Sequence, residues 1–125
     1  MNIPKILIID DSGFQRKLIS DILKEEGYIV ITSADGNSGF ATALEESPDL
    51  ILCDLLMPEL DGYDFLKKIR DHGLEIPIMV LTSDIQNTTR QYCLDLGAIN
   101  VLNKPVKNTI LIPAIKNALQ STSKA

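Results

Sequence analysis

Five short apolar runs recur along the chain, and each one stops at a polar residue. The runs cover residues 5–9, 29–31, 50–53, 78–81 and 101–103. Apolar and polar residues do not alternate within a run, which is typical of strands buried on both faces of a parallel sheet. The pattern therefore predicts five parallel strands in a sheet that is covered on both sides.

Apolar positions three or four residues apart lie between these runs and predict amphipathic helices. Asp35 and Asp61 are helix start signals, and Gly27 and Gly97 are end signals. The apolar stripes are Phe14, Leu18, Ile19, Ile22 and Leu23; Phe40, Ala43 and Leu44; Phe65, Leu66 and Ile69; Ile85, Thr89, Tyr92, Cys93 and Leu96; and Ile110, Leu111, Ala114, Ile115, Ala118 and Leu119. Strands alternating with helices predict an α/β fold, a doubly wound three-layer αβα sandwich around a five-stranded parallel sheet.

One domain over residues 1–125 is expected, because this length suits a single core and an apolar content of 45% argues against disorder. Only a tail, residues 121–125, follows the last stripe, so no output domain is expected. Pro113 falls inside that last helical pattern, where it removes a backbone donor. A kink or a late helix start is therefore expected.

The charge balance disfavours several classes of partner. Twelve basic residues against 17 acidic ones give a net charge of −5 without a basic block, so direct nucleic-acid binding is not expected. No apolar run is long enough to insert in a membrane, and no secretory signal begins the chain, which indicates a cytoplasmic protein. Cys53 and Cys93 are expected to be buried reduced thiols.

Polar residues with phosphate or metal chemistry follow four of the five predicted strands. Asp10 and Asp11 follow the first, Asp54 the third, Thr82 the fourth and Lys104 the fifth. Carboxyl ends of parallel strands lie along one edge, where open α/β sheets bind ligands. Each residue alone has an ordinary explanation as a cap or loop residue, but their joint placement indicates a site.

The residue types suggest a reaction. Two carboxylates about 4 Å apart repel by roughly 4 kcal/mol at an effective dielectric constant near 20, so these acids need cations. Lys104 supplies one, and a divalent ion such as Mg²⁺, which prefers oxygen ligands, would supply the rest. Asp54 could then attack a phosphoryl group to form an acyl phosphate, with Thr82 hydrogen-bonded to a phosphoryl oxygen.

Over nearly its whole length the chain resembles a response-regulator receiver domain. The motifs that carry this resemblance are Asp10-Asp11-Ser12, Asp54 with Met57-Pro58 and Asp61-Gly62, Thr82-Ser83, Gly97-Ala98 and Lys104-Pro105. The resemblance implies a flavodoxin-like strand order, 2-1-3-4-5. It also implies that Asp11, Asp54 and the backbone carbonyl of Leu56 bind Mg²⁺ directly, and that Asp10 acts through water.

The function implied by the resemblance is that of a phosphorylated signalling switch and not of an enzyme. Asp54 would be the phosphoacceptor, receiving its phosphoryl group from a histidine kinase or a phosphotransfer protein. A downstream target would be contacted through the fourth helix, fifth strand and fifth helix. The expected subtype is a stand-alone regulator, either chemotaxis-type or another single-domain regulator. A phosphorelay intermediate agrees equally well with the expected lack of an output domain.

Four further residues carry expectations of their own. Val101 stands where many members carry the Tyr or Phe ring that swings inward on activation, so output must use another kind of repacking. The resemblance implies that Leu56 and Asp84 stand nearest the path of a hydrolytic water, and Leu56 cannot orient one, so slow self-hydrolysis is expected. His72 is expected to interact with the carbonyl end of the third helix and to have no role in phosphotransfer.

Two other classes are alternatives. A Mg²⁺-dependent phosphatase with an aspartyl nucleophile would need a second acid two residues after Asp54, where this chain has Leu56. A flavodoxin-like electron carrier would place an FMN phosphate beside Asp10 and Asp11, which would repel it.

Overall fold

The computed structural model describes residues 3–122, in which five strands alternate with five helices. The strands are β1 (Lys5–Ile9), β2 (Ile29–Ser33), β3 (Leu50–Asp54), β4 (Ile78–Thr82) and β5 (Asn100–Asn103). The helices are α1 (Gly13–Glu25), α2 (Gly36–Glu46), α3 (Gly62–Asp71), α4 (Asn87–Asp95) and α5 (Asn108–Thr122). The predicted tail of residues 121–125 is helical as far as Thr122 and otherwise lies outside the described residues.

All five strands are parallel and lie in the order β2-β1-β3-β4-β5. The register places Ile9 opposite Cys53 and Asp54 opposite Leu81. The carboxyl ends of β1, β3 and β4 are therefore level with one another. The predicted doubly wound α/β fold and its strand order are confirmed.

Successive strand residues point to opposite faces of the sheet, and each face has its own apolar core. On one face, Leu7, Ile51 and Val80 pack with side chains of α2, α3 and α4. On the other face, Ile6 and Leu52 belong to a core shared with α1 and α5. Complete burial of each such side chain contributes about 1.5–3 kcal/mol, so the two cores hold helices on both sides of the sheet.

Strand β2 departs from the prediction that every strand is buried on both faces. It continues to Ser33 and, among residues 3–122, pairs only with β1, so it forms one edge of the sheet. Its side chains are less buried than those of the central strands, and Ile29 is 46% exposed. The apolar run predicted the strand, and the strand order implied by the family resemblance already placed it at the edge.

Several members of the predicted apolar stripes are exposed, because the helices bury a narrower face than the stripes suggested. Ile85 also lies before α4, which begins at Asn87. The exposed members are Phe14, Leu18, Leu44, Ile85, Tyr92 and Ile110. The remaining stripe positions hold the helices to the sheet.

The predicted helix boundaries are largely confirmed. Asp35 and Asp61 cap α2 and α3, accepting backbone hydrogen bonds of 2.8 and 2.9 Å. Gly27 and Gly97 end α1 and α4 with φ angles of 93° and 113°, which only glycine adopts without strain. Of the two outcomes expected at Pro113, the late start does not occur, because α5 begins at Asn108; the kink stays a prediction.

Two predictions about single side chains are also confirmed. Cys53 and Cys93 are buried and free, and burial raises the pKa of both thiols. His72 is the C-cap residue of α3, with its Nδ1 atom 2.9 Å from the carbonyl oxygen of Lys68, as predicted. No helix among residues 3–122 has the length and apolar character needed to cross a membrane.

Candidate functional site

Three carboxylates meet at the carboxyl edge of the sheet. Asp10 follows β1, Asp11 is its neighbour, and Asp54 is the last residue of the adjacent strand β3. One carboxylate oxygen from each lies within 4.8 Å of those from the other two. Asp10 and Asp54 are buried, whereas Asp11 is exposed. The cluster predicted from the strand ends is therefore present, and it opens to solvent on the side of Asp11.

Lys104 brings the balancing cation into this cluster. Its Nζ atom lies 2.9 Å from Oδ1 of Asp54 and 3.4 Å from Oδ2 of Asp10. The backbone N–H of Lys104 donates to the carbonyl of Thr82 at 2.8 Å, which continues the pairing of β5 with β4 up to the site. One ammonium against three carboxylates leaves a formal charge of −2, so the site still favours a further cation.

The pKa of both central groups is raised, but for different reasons. Burial raises the pKa of the Asp54 carboxyl, the charges of Asp10 and Asp11 add to the rise, and Lys104 only partly offsets it. For Lys104, burial opposes the charged ammonium, but its hydrogen bond to Asp54 and the charges of Asp54 and Asp10 raise its pKa overall. The ammonium is thus held charged, and the anion on Asp54 is disfavoured until more positive charge arrives.

Asp54→Asn is expected to stabilise the metal-free protein at neutral pH. Because folding raises the pKa of Asp54, its contribution to stability is fully present below its unfolded pKa and is lost as the pH rises through its folded pKa. The uncharged amide of the variant does not lose stability in this way, and its oxygen can still accept a hydrogen bond from Lys104. In the presence of a chelator its thermal midpoint should rise by a few degrees, since 1 kcal/mol corresponds to about 4 °C in a domain of this size.

The gain from Asp54→Asn should disappear in acid, where the natural carboxyl is also uncharged. A lower midpoint at neutral pH, or an equal gain at both pH values, would contradict this electrostatic account. Thermal unfolding followed by circular dichroism at the two pH values measures both quantities.

Asp10 is fixed mainly by protein groups. Its Oδ1 atom accepts a 2.9 Å hydrogen bond from the backbone N–H of Ser12, and its Oδ2 atom faces Lys104. The guanidinium of Arg16 donates to its backbone carbonyl at 2.7 Å. Both carboxylate oxygens of Asp10 are therefore engaged within the protein, whereas the exposed Asp11 carboxylate faces solvent.

Thr82 lies at the same edge, one residue beyond the pairing of Leu81 with Asp54. It is buried, and its hydroxyl oxygen accepts a 3.1 Å hydrogen bond from the backbone N–H of Asp84. That bond uses a lone pair of the hydroxyl oxygen and leaves its hydrogen available to a ligand.

Leu56 and Gly62 shape the loop after Asp54. The Leu56 side chain is 67% exposed. At Gly62 a Cβ atom would lie 3.0 Å from the Asp54 carbonyl oxygen and 2.9 Å from Cα of Leu55. Glycine is therefore required there, because α3 begins in direct contact with the strand that carries Asp54.

The role of Asp84 could not be found from the sequence. Its carboxylate accepts hydrogen bonds from the hydroxyl of Thr89 at 2.6 Å and from the backbone N–H of Gln86 at 3.0 Å. These bonds lower the pKa of Asp84, the Thr89 bond most strongly. Asp84 thus binds the start of α4, a contact that motif spacing alone does not indicate.

Comparisons with known proteins identify a family and several relatives. A family model described as the response regulator receiver domain matches residues 6–116. A probable transcriptional regulator of Guillardia theta is 36% identical over 121 residues, covering 97% of this chain and 47% of that protein. The alkaline phosphatase synthesis transcriptional regulatory protein PhoP of Bacillus subtilis is 38% identical over 101 residues, covering 81% of this chain and 42% of PhoP.

Solved structures have the same fold. Chemotaxis protein CheY4 of Vibrio cholerae superposes with a TM-score of 0.89 at 32% identity, over 94% of this chain and all of that one. A response regulator receiver domain from Francisella gives a TM-score of 0.92 at 26% identity, over 95% of this chain and 98% of that one. The chain spans about half the length of the curated relatives described above.

Proposed function

The chain belongs to the response regulator receiver domain family, and from that premise we propose that it is a signalling switch that accepts a phosphoryl group on Asp54. The observation that carries the proposal is the position of the Asp54 carboxylate, 2.9 Å from the Lys104 ammonium inside a cluster of three acids. Nothing in the comparisons supports the alternative of a phosphatase, and Leu56 still stands where that class needs an acid.

The proposed reaction uses groups already placed at the sheet edge. An oxygen of Asp54 attacks the phosphorus of a phosphohistidine on a partner protein, so that an O–P bond forms while the P–N bond breaks. The imidazole leaves with the electron pair. Lys104 stabilises the charge on the phosphoryl oxygens, and the Thr82 hydroxyl donates a hydrogen bond to one of them.

The donor set fits Mg²⁺, because it offers carboxylate and carbonyl oxygens and carries a negative formal charge. Asp11, Asp54 and the carbonyl of Leu56 would hold the ion, and Asp10 would act through water. When bound, Mg²⁺ supplies positive charge to the phosphoryl oxygens. The engaged oxygens of Asp10 and the exposed carboxylate of Asp11 support this division between direct and indirect ligands.

Asp11→Asn is expected to weaken Mg²⁺ binding by about tenfold or more, the range seen when groups at a metal site are replaced. Asp10→Asn should weaken it less, because the Asp10 carboxylate is already bound to Ser12 and Lys104. Calorimetric titration with Mg²⁺ compares the two, with thermal unfolding as a check that each variant folds. Equal losses, or a larger loss in the Asp10 variant, would refute the assignment.

The proposed partners are a histidine kinase or phosphotransfer protein as donor and a downstream target protein. The target would contact α4, β5 and α5, a surface on which Tyr92 and Ile110 are exposed. Direct nucleic-acid binding is not proposed, because the net charge is −5. The proposed function does not distinguish a chemotaxis pathway from another phosphorelay pathway. That residues 1–125 form one receiver domain stays a prediction.

The experiment that tests the proposed function is incubation with acetyl phosphate, followed by intact mass spectrometry. The protein should gain the mass of one phosphoryl group when Mg²⁺ is present and almost none when a chelator replaces it. Equal labelling under both conditions, or none under either, would overturn the proposal.

A further inference from the structure

Asp84 lies in the loop between β4 and α4, and all four of its polar groups are hydrogen-bonded. Its N–H donates to the Thr82 hydroxyl oxygen, and its carbonyl accepts from the side-chain amide of Asn103 in β5 at 3.2 Å. Its two carboxylate oxygens accept from Gln86 and Thr89. One residue therefore joins the phosphoacceptor site to α4 and to β5.

The contact with Thr89 is the strongest of these bonds. At 2.6 Å it has the length of a charge-assisted hydrogen bond from a hydroxyl to a carboxylate. Thr89 is buried, so water competes little for this bond. The N-cap residue of α4, Gln86, makes no side-chain capping bond, which leaves the Asp84 carboxylate as the anion at this helix start.

The next residue of α4 continues the connection into β5. Arg90 donates from Nη1 to the carbonyl of Val101 at 2.6 Å and from Nη2 to Oδ1 of Asn100 at 3.2 Å. Val101 itself is buried. The first turns of α4 are thus bound to the backbone of β5.

From these contacts we infer that Asp84 couples the phosphoacceptor site to α4, through Thr82 on one side and Thr89 on the other. The inference rests on the proposed function. When the Thr82 hydroxyl donates its hydrogen to a phosphoryl oxygen, its oxygen moves toward that ligand and draws along the Asp84 N–H that donates to it. The loop shifts, the short bond to Thr89 carries α4 with it, and Arg90 passes the displacement to β5. Asp84 and Thr89 are positioning residues that act through their hydrogen bonds.

The substitution that tests this coupling is Thr89→Val, which removes the hydroxyl and keeps the shape of the side chain. Thr88→Val is the matched control, because Thr88 is the exposed neighbour on the same helix and its hydroxyl contacts Gln86, at 3.4 Å, instead of Asp84. Thr89→Ser restores a hydroxyl. Thr89→Ala serves as a second deletion in case valine packs poorly.

The measurement is the change in backbone amide chemical shifts of residues 87–95 when beryllofluoride is added with Mg²⁺. Thr89→Val and Thr89→Ala should lose more than half of the response seen in the unsubstituted chain, while Thr88→Val and Thr89→Ser keep it. The shifts at Thr82 and Lys104 should remain in all variants, which separates coupling from loss of binding or general destabilisation.

Two different failures are distinguishable. A full response of α4 in both Thr89 deletions, with beryllofluoride bound, would overturn the coupling and leave the proposed function intact. If fluorine NMR shows no signal from bound beryllofluoride in the unsubstituted chain, the proposed function is overturned, and the coupling with it.

Discussion

Asp54→Asn is expected to abolish labelling by acetyl phosphate completely. The amide is a much weaker nucleophile than the carboxylate, and no other described carboxylate combines a buried position with a 2.9 Å contact to Lys104. Asp10, the other buried acid of the cluster, lies farther from the ammonium, at 3.4 Å, and accepts a bond from Ser12. Intact mass after incubation with acetyl phosphate and Mg²⁺ measures the loss.

The matched control for this variant is Asp71→Asn, which removes an exposed carboxylate at the far end of α3. It should label as the unsubstituted chain does. Stoichiometric labelling of a folded Asp54→Asn protein would show that another residue accepts the phosphoryl group.

Lys104→Ala is expected to slow labelling by about 10²-fold, the usual cost of removing one group that stabilises charge developing in a transition state. Mg²⁺ should still bind, because the ammonium contacts Asp54 and Asp10 and is not a metal ligand. Calorimetry and labelling kinetics together separate these two effects.

Lys107→Ala is the control for Lys104→Ala, because Lys107 is an exposed lysine three residues further along the chain. It should label at the rate of the unsubstituted protein. An unchanged rate in Lys104→Ala would remove this lysine from the proposed reaction, and complete loss of Mg²⁺ binding would mean that its role is in holding the acids together.

The sequence predicted the architecture and the main site because both depend on local signals. Non-alternating apolar runs identify buried parallel strands, and the residue after each run must lie at the carboxyl edge. The sequence alone therefore predicts that four residues lie together at this edge: Asp10, Asp54, Thr82 and Lys104. Their distances depended on register, which the apolar pattern alone does not specify.

Other features depend on tertiary neighbours and could not be predicted in this way. Apolar spacing identified α1, but Phe14 and Leu18 are exposed because the sheet covers only part of that helix. The edge position of β2 depends on which strands pair. The Asp84–Thr89 hydrogen bond joins a loop to a helix turn, and neither residue belongs to a recognisable motif.

The most direct measurement of the central claim is chemical trapping of the phosphorylated residue in the unsubstituted chain. After labelling with acetyl phosphate and Mg²⁺, borohydride reduces an aspartyl phosphate to homoserine, and peptide sequencing locates the product. Homoserine should be found at position 54 and at no other aspartate, in proportion to the phosphoryl group gained. Homoserine at Asp10 or Asp11, or a labelled chain that yields none, would contradict the assignment of Asp54 as phosphoacceptor.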